Sequence, residues 1–265
     1  MDITSFIMYG YIFLLGTIIG SFLNVVLYRA YSGKSVRGRS RCGSCNRTLT
    51  AVDLFPVLSF LVLRGRCRTC GSKISWQYPL VEILTGALFL LSYMKAGDSY
   101  QLIVLITLSV LAVLISIYDV RHTVIPDAWS YAFSATALAW RVPEILSGAV
   151  SIGDVLLGGA IMSAALYAVW YLSRGRWLGF GDVKLIFGVG VLLGVFGAVM
   201  TLWIACMIGA ILGICMLSMQ YIRGRSQYVT MQTELAFGPF ILLGAFLLLF
   251  EYISLTKLWN LLYIV

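Results

Sequence analysis

The chain has 265 residues, 60% of them hydrophobic and 11% charged, with a net charge of +8 and a mean hydropathy of +0.94. Soluble domains run near half apolar and a quarter charged, so this composition excludes an ordinary soluble domain and points to a multi-pass membrane protein. The positive charge, which in a soluble chain suggests nucleic acid, has to be judged by where the basic residues fall.

The first apolar stretch, Ile7–Leu27, is long enough to span a bilayer and too long for a signal-peptide core, and no basic segment precedes it. It is followed by Leu80–Met94, Leu102–Tyr118, Ala128–Trp140, Val155–Leu172, Leu185–Val195, Ala198–Ile222 and Phe237–Tyr252. A full span needs about 20 helical residues. Val183–Ile222 has Lys184 as its one charge, so it reads as two passes joined by a tight turn near Phe196-Gly197. Ala128–Trp140 is short and Pro143 follows it. The expected fold is an all-α transmembrane bundle of about eight helices. Residues 1–28 form the first transmembrane helix, 29–79 a polar loop, and 80–265 the remaining core.

Of the nineteen Lys/Arg residues, sixteen fall in alternate loops, including ten between Arg29 and Lys73. The opposite side holds Lys95, Arg141 and Lys257. The positive-inside rule places the first set in the cytoplasm and accounts for the net charge through membrane topology and anionic lipid contacts, without nucleic acid. Asp119, Asp127 and Asp182 then sit at cytoplasmic helix ends.

The loop 29–79 contains Cys42-Gly-Ser-Cys45 and Cys67-Arg-Thr-Cys70, separated by 21 residues. Each C-x-x-C presents two thiolates from one tight turn, and two such turns close a four-thiolate site, the usual structural zinc arrangement. A cytoplasmic loop argues against disulfides, and redox dithiols are the alternative to a metal site. Four thiolates leave no open coordination position, so the metal is expected to be structural, and its binding to supply folding energy to a small zinc-ribbon-like loop. Cys206 and Cys215 are expected to be small buried hydrophobes.

Leu178–Leu185, Leu-Gly-Phe-Gly-Asp-Val-Lys-Leu, puts Asp182 beside two glycines at the mouth of an apolar run. A charged group at mid-bilayer costs roughly 2.5–3.5 kcal/mol, so acids near membrane depth are functional candidates. Asp119 closes the third apolar segment, and its meeting with Asp182 would make a pair sharing one proton. Gly179 and Gly181 permit close substrate approach. The competing reading makes these acids interfacial groups or ion-pair partners of Arg121 and Lys184. Asp127 is a rival for the first role but reads better as a helix N-cap. His122, the one histidine, reads as a solvated surface group.

These residues, with Gly20-Ser-Phe-Leu-Asn-Val-Val, the segment from Arg39 to Cys45, Phe55-Pro-Val-Leu-Ser-Phe, Leu63-Arg-Gly-Arg-Cys-Arg-Thr-Cys70, Tyr78-Pro-Leu-Val-Glu82, Ile125-Pro-Asp127, Gly179-Phe-Gly-Asp182-Val-Lys184 and Phe237-Gly-Pro-Phe240, resemble bacterial type IV prepilin peptidases over nearly the whole chain. The resemblance implies an inner-membrane aspartyl protease of the GxGD type with Asp119 and Asp182 as its catalytic pair. Asp127 matches a further family aspartate, and Gly179, Gly181 and Lys184 flank the second acid. Such enzymes remove a short basic leader from prepilins or pseudopilins at the cytoplasmic membrane face. They then methylate the new N-terminus with S-adenosylmethionine, and the cysteine loop favours this two-activity form. Asp53, Glu82 and Glu234 are candidates for leader contact, with solvation or capping as the plainer role. The methyl-transfer site is not legible; Asn24 and Arg29 are candidates, with interfacial anchoring as the alternative. Other readings are a membrane aspartyl protease without methylation, and a small transporter or scaffold. A transporter predicts broken helices near mid-bilayer rather than acids at one edge.

Overall fold

The structure is a computed structural model that describes residues 3–32, 35, 37–222 and 236–250. Its described residues form eight α-helices, in order α1 (Ile3–Ser32), α2 (Leu58–Val62), α3 (Gln77–Lys95), α4 (Ser99–His122), α5 (Asp127–Leu146), α6 (Ile152–Leu172), α7 (Phe180–Ile222) and α8 (Gly238–Leu249), with a short 3-10 turn at Ala51–Leu54. Four helical stretches are long and apolar enough to cross a bilayer: Ile3–Ala30, Ser99–His122, Ile152–Leu172 and Phe180–Met216. The Gly238–Leu249 helix is apolar but shorter.

Two compact units divide the chain within α4, Met1–Leu114 and Ile115–Val265. In the first, α1 and α3 run against each other on small residues. A Cβ at Gly16 would lie 2.7 Å from the Gly86 Cα, and one at Gly20 2.8 Å from the Glu82 Cα. Lipid tails are as apolar as leucine, so close backbone approach rather than burial from water holds such pairs. In the second unit α6 and α7 pack the same way. A Cβ at Gly190 would lie 2.6 Å from the Gly158 carbonyl oxygen. The half of α7 that follows Gly194 packs on α8 through Met200, Ile204 and Leu248.

Several expectations change. The long apolar run does divide in two, but at Gly194, with φ 72° and ψ 177°, rather than at Phe196-Gly197. That conformation is open to glycine almost alone. The fourth segment is a 20-residue helix, Asp127–Leu146, with Pro143 inside it, and the loop carries a helix, α2, that five residues of pattern could not reveal. Cys206 and Cys215 are exposed on α7 instead of buried. On a membrane helix an outward face is apolar, so a small hydrophobe sits there without penalty. Glu234, Arg223, Arg225 and Lys257 lie outside the described residues.

Candidate functional site

Asp119 occupies the last turn of α4, and Asp182 is the third residue of α7; both are buried, at 5% and 7% exposure. They belong to the same unit. The Asp119 Oδ2 accepts a hydrogen bond of 3.1 Å from the Gly238 N–H. Gly238 opens α8, with proline just inside the helix. Free N–H groups and the dipole at that helix end favour a carboxylate. A Cβ at Gly238 would come within 2.8 Å of the same oxygen, so glycine lets the backbone reach the acid.

Ile125 lies at the centre of the arrangement. It is 6% exposed. Its Cδ1 lies 3.0 Å from where a Gly238 Cβ would sit, and its Cβ 2.9 Å from where a Gly181 Cβ would sit. One side chain therefore touches the backbone beside each acid. Asp182 donates its N–H to the Gly179 carbonyl at 3.2 Å, and a Cβ at Gly179 would lie 3.4 Å from the Asp182 Oδ2. The Ser163 hydroxyl donates to the Val183 carbonyl at 3.1 Å, fixing the first turn of α7 to α6.

Asp127 is not the N-cap of α5. Pro126 holds that position in extended backbone, and Asp127 is the first helical residue. Its carboxylate pairs with Lys184 on α7. Lys184 also lies 4.7 Å from the Phe180 ring centre. The lysine is therefore engaged with Asp127 rather than with Asp119 or Asp182. His122 is half-buried against the Tyr118 ring at 4.7 Å rather than simply solvated.

The cysteine loop is built as two matching turns. Cys42 N–H donates to the Arg47 carbonyl and Cys67 N–H to the Ser72 carbonyl. The residue after each second cysteine, Asn46 at φ 59° and Gly71 at φ 68°, is left-handed. Single β-bridges close both turns, Arg41 with Thr48 and Arg66 with Lys73. The four Sγ atoms lie within 4.8 Å of one another, and Cys42 and Cys70 are 3.9 Å apart. A zinc tetrahedron with Zn–S of about 2.3 Å has S···S edges of about 3.8 Å, so the donors fit a metal ion. Backbone hydrogen bonds from Cys45 and Ser44, helped by the Ser72 hydroxyl, pull the Cys42 thiol down to about 6. Ser72 also lowers Cys70. Cys45 is pushed up to about 11: the Arg47 backbone lowers it, but burial and its bonds to Cys42, Cys70 and Cys67 outweigh that. A metal ion binds the thiolate form of each donor, so its binding releases protons.

The remaining candidates hold structure together. Asn24, buried in α1, donates to the Gly20 and Tyr78 carbonyls. Arg29 reaches the carbonyls of Ser35, Arg37 and Gly38. Glu82 accepts from the Val57 N–H at 2.8 Å. Asp53 pairs with Arg47 and Arg68. A cavity of about 530 Å³ lies beside α2, walled by Phe60, Trp76, Arg64, Arg66 and Lys73 among others. Ile125 and Gly238 stand in the sequence motifs without a role of their own, and the cavity has no sequence signal. Gly238 had a signal in its Gly-Pro pair, but nothing local tied it to an acid 119 residues away.

Residues 14–96 match the bacterial peptidase A24 N-terminal domain, and residues 102–214 match the type IV leader peptidase family. A Myxococcus xanthus protein named prepilin leader peptidase/N-methyltransferase is 36% identical over 212 residues, covering 78% of this chain and 62% of its own length. Aeromonas hydrophila has a protein of the same name at 30% identity, covering 94% of this chain and 92% of its own. In Bacillus subtilis another is 31% identical, covering 91% and 93%. No solved structure matches the chain.

Proposed function

The chain belongs to the type IV leader peptidase family, and from that premise we propose that Asp119 and Asp182 are its catalytic pair, cutting the leader from prepilins or pseudopilins. The observation that carries this reading is the burial of both acids in one unit, with the Ile125 side chain against the backbone beside each of them. Two close buried carboxylates hold one proton between them. The Asp119 Oδ2 already accepts the Gly238 N–H, so the proton sits on another of the four oxygens. The ionised carboxylate takes a proton from water, whose oxygen adds to the scissile carbonyl carbon. The protonated carboxyl hydrogen-bonds the carbonyl oxygen, then the C–N bond breaks and the leaving amine takes a proton. Asp127, Lys184, Gly179 and Gly181 position Asp182 and take no part in proton transfer.

The active pair and the cysteine loop face the cytoplasm, following the basic residues. Residues 1–28 anchor the chain, 29–79 carry the metal, taken here as zinc in a structural role, and 80–265 form the protease core. The relatives' names pair leader cleavage with N-methylation, and this chain is assigned both. S-adenosylmethionine would supply the methyl group. The cavity beside α2 has cationic walls and opposes its sulfonium, so it does not suit this donor, and no residue is assigned to hold it.

The test is cleavage of a purified prepilin by the full chain. Asp119→Asn and Asp182→Asn should each lower the rate by at least roughly 10²-fold while the melting curve is retained. Cleavage by either variant at the wild-type rate refutes the assignment.

A further inference from the structure

The cavity beside α2 has no part in the proposed cleavage, and its wall has an unusual charge pattern. Residues 29–79 carry ten Lys/Arg and one acid, Asp53. Asp53 is engaged by Arg47 and Arg68. Arg64, Arg66 and Lys73 line the cavity with no carboxylate partner among the described residues. Two of them are held directly opposite each other by the Arg66–Lys73 bridge. The matching turn at Cys42–Cys45 has Arg41 opposite the neutral Thr48 at that place. Like charges facing across a bridge destabilise it unless an anion lies between them.

The apolar side of the wall indicates which anion. Phe60 and Trp76 pack at 4.8 Å between ring centres, yet Trp76 remains 74% exposed. On α2, Leu61 of the same wall is 57% exposed and its chain neighbour Val62 77%. A small polar loop does not leave these groups in water without a reason. Trp76 is also the N-cap of α3. That helix lies along the membrane-crossing α1, with Gly20 against Glu82. Trp76 is six residues, about 9 Å of helix, before Glu82, at the loop end of α3, and tryptophan collects where such helix ends meet a membrane surface.

The geometry points to a site for an anionic phospholipid. Its headgroup phosphate lies between Arg64, Arg66 and Lys73, and Leu61, Val62 and Trp76 enter the leaflet beside it. A free phosphoanion would satisfy the cations and leave the apolar residues in water, so the lipid is the occupant.

The full chain, purified in neutral detergent, is exposed to equimolar phosphatidylglycerol and phosphatidylcholine, and the retained lipid is read by native mass spectrometry. The wild type should retain phosphatidylglycerol preferentially. The combined variant Arg64→Gln, Arg66→Gln, Lys73→Gln should lose roughly tenfold of that preference. Lys73→Thr copies the first turn and removes the facing charges. It should melt no lower than wild type in neutral detergent, yet gain less stabilisation from phosphatidylglycerol. The inference is overturned if the triple variant keeps the preference, if Lys73→Thr gains as much as wild type from phosphatidylglycerol, or if glycerol phosphate or polyglutamate displaces the lipid at equal concentration.

Discussion

At the scale of single residues, the candidate site depends on two glycines that serve different acids. Gly238 brings an N–H to Asp119, and a methyl group there would meet its Oδ2 at 2.8 Å. A methyl group at Gly181, beside Asp182, would meet the Ile125 Cβ at 2.9 Å. Gly238→Ala pushes on a carboxylate that can rotate, whereas Gly181→Ala pushes on a branched carbon attached to backbone. Both should reduce prepilin cleavage, since a displacement of about 1 Å in a reacting group costs on the order of 10²-fold. Gly181→Ala should in addition lower the melting temperature, and pairing it with Ile125→Ala should restore part of both. A double mutant no better than Gly181→Ala would remove Ile125 from this role. Asp53 makes a pH prediction. Hydrogen bonds from the Thr50 N–H and hydroxyl, then Arg47 and Arg68, hold its carboxyl below the usual range. A depressed folded value stabilises the loop above the unfolded pKa of about 3.9 and the benefit is lost as pH falls through the folded value. Asp53→Asn should therefore flatten the acid limb of loop stability, measured by amide exchange, and leave it lower near neutrality.

The helices show which parts of this arrangement a linear pattern can carry. Apolar length located the membrane helices, and C-x-x-C spacing located the metal turns, because both signals are local. Asp127 was misassigned because capping preference is local too: Pro126 takes the cap position, and a tertiary contact with Lys184 claims the carboxylate. The approach of Asp119 to Gly238 spans 119 residues, and no periodicity encodes it. The contact between α5 and α7 yields a test that separates positioning from folding. Asp127 is largely exposed, so its pair with Lys184 contributes at most about 1 kcal/mol to stability. Lys184→Met should thus leave melting nearly unchanged. If the pair holds the first turn of α7 in register beside Ile125, kcat falls while KM for prepilin moves little. The exchange Asp127→Lys with Lys184→Asp should recover part of kcat. A further test concerns the break in α7. Gly194 has open space around it, so Gly194→Ala acts through its backbone angle alone, at about 1–3 kcal/mol. Gly190→Ala instead meets the Gly158 carbonyl and should loosen α6 from α7. Equal effects of the two on α6 protection would mean the break is not conformational.

At the scale of the whole molecule, the four-thiolate cluster and the paired acids fall in different compact units, Met1–Leu114 and Ile115–Val265. The acids owe their surroundings to α4, α5, α7 and α8, and none of the contacts described around them involves a cysteine of the cluster. Metal removal therefore separates two kinds of dependence. Chelation should extract about one zinc per chain and expose the amides of residues 40–75, because two short turns, each closed by a single bridge, have too little core to persist without the ion. Amides in the first turn of α7 and at the start of α8 should keep their protection in the same sample. Cys42→Ser and Cys67→Ser should reproduce the chelated pattern without chelator. A loss of protection at α7 that tracks metal loss would show instead that the cluster supports the acids, and the two units would then have to be treated as one folding entity.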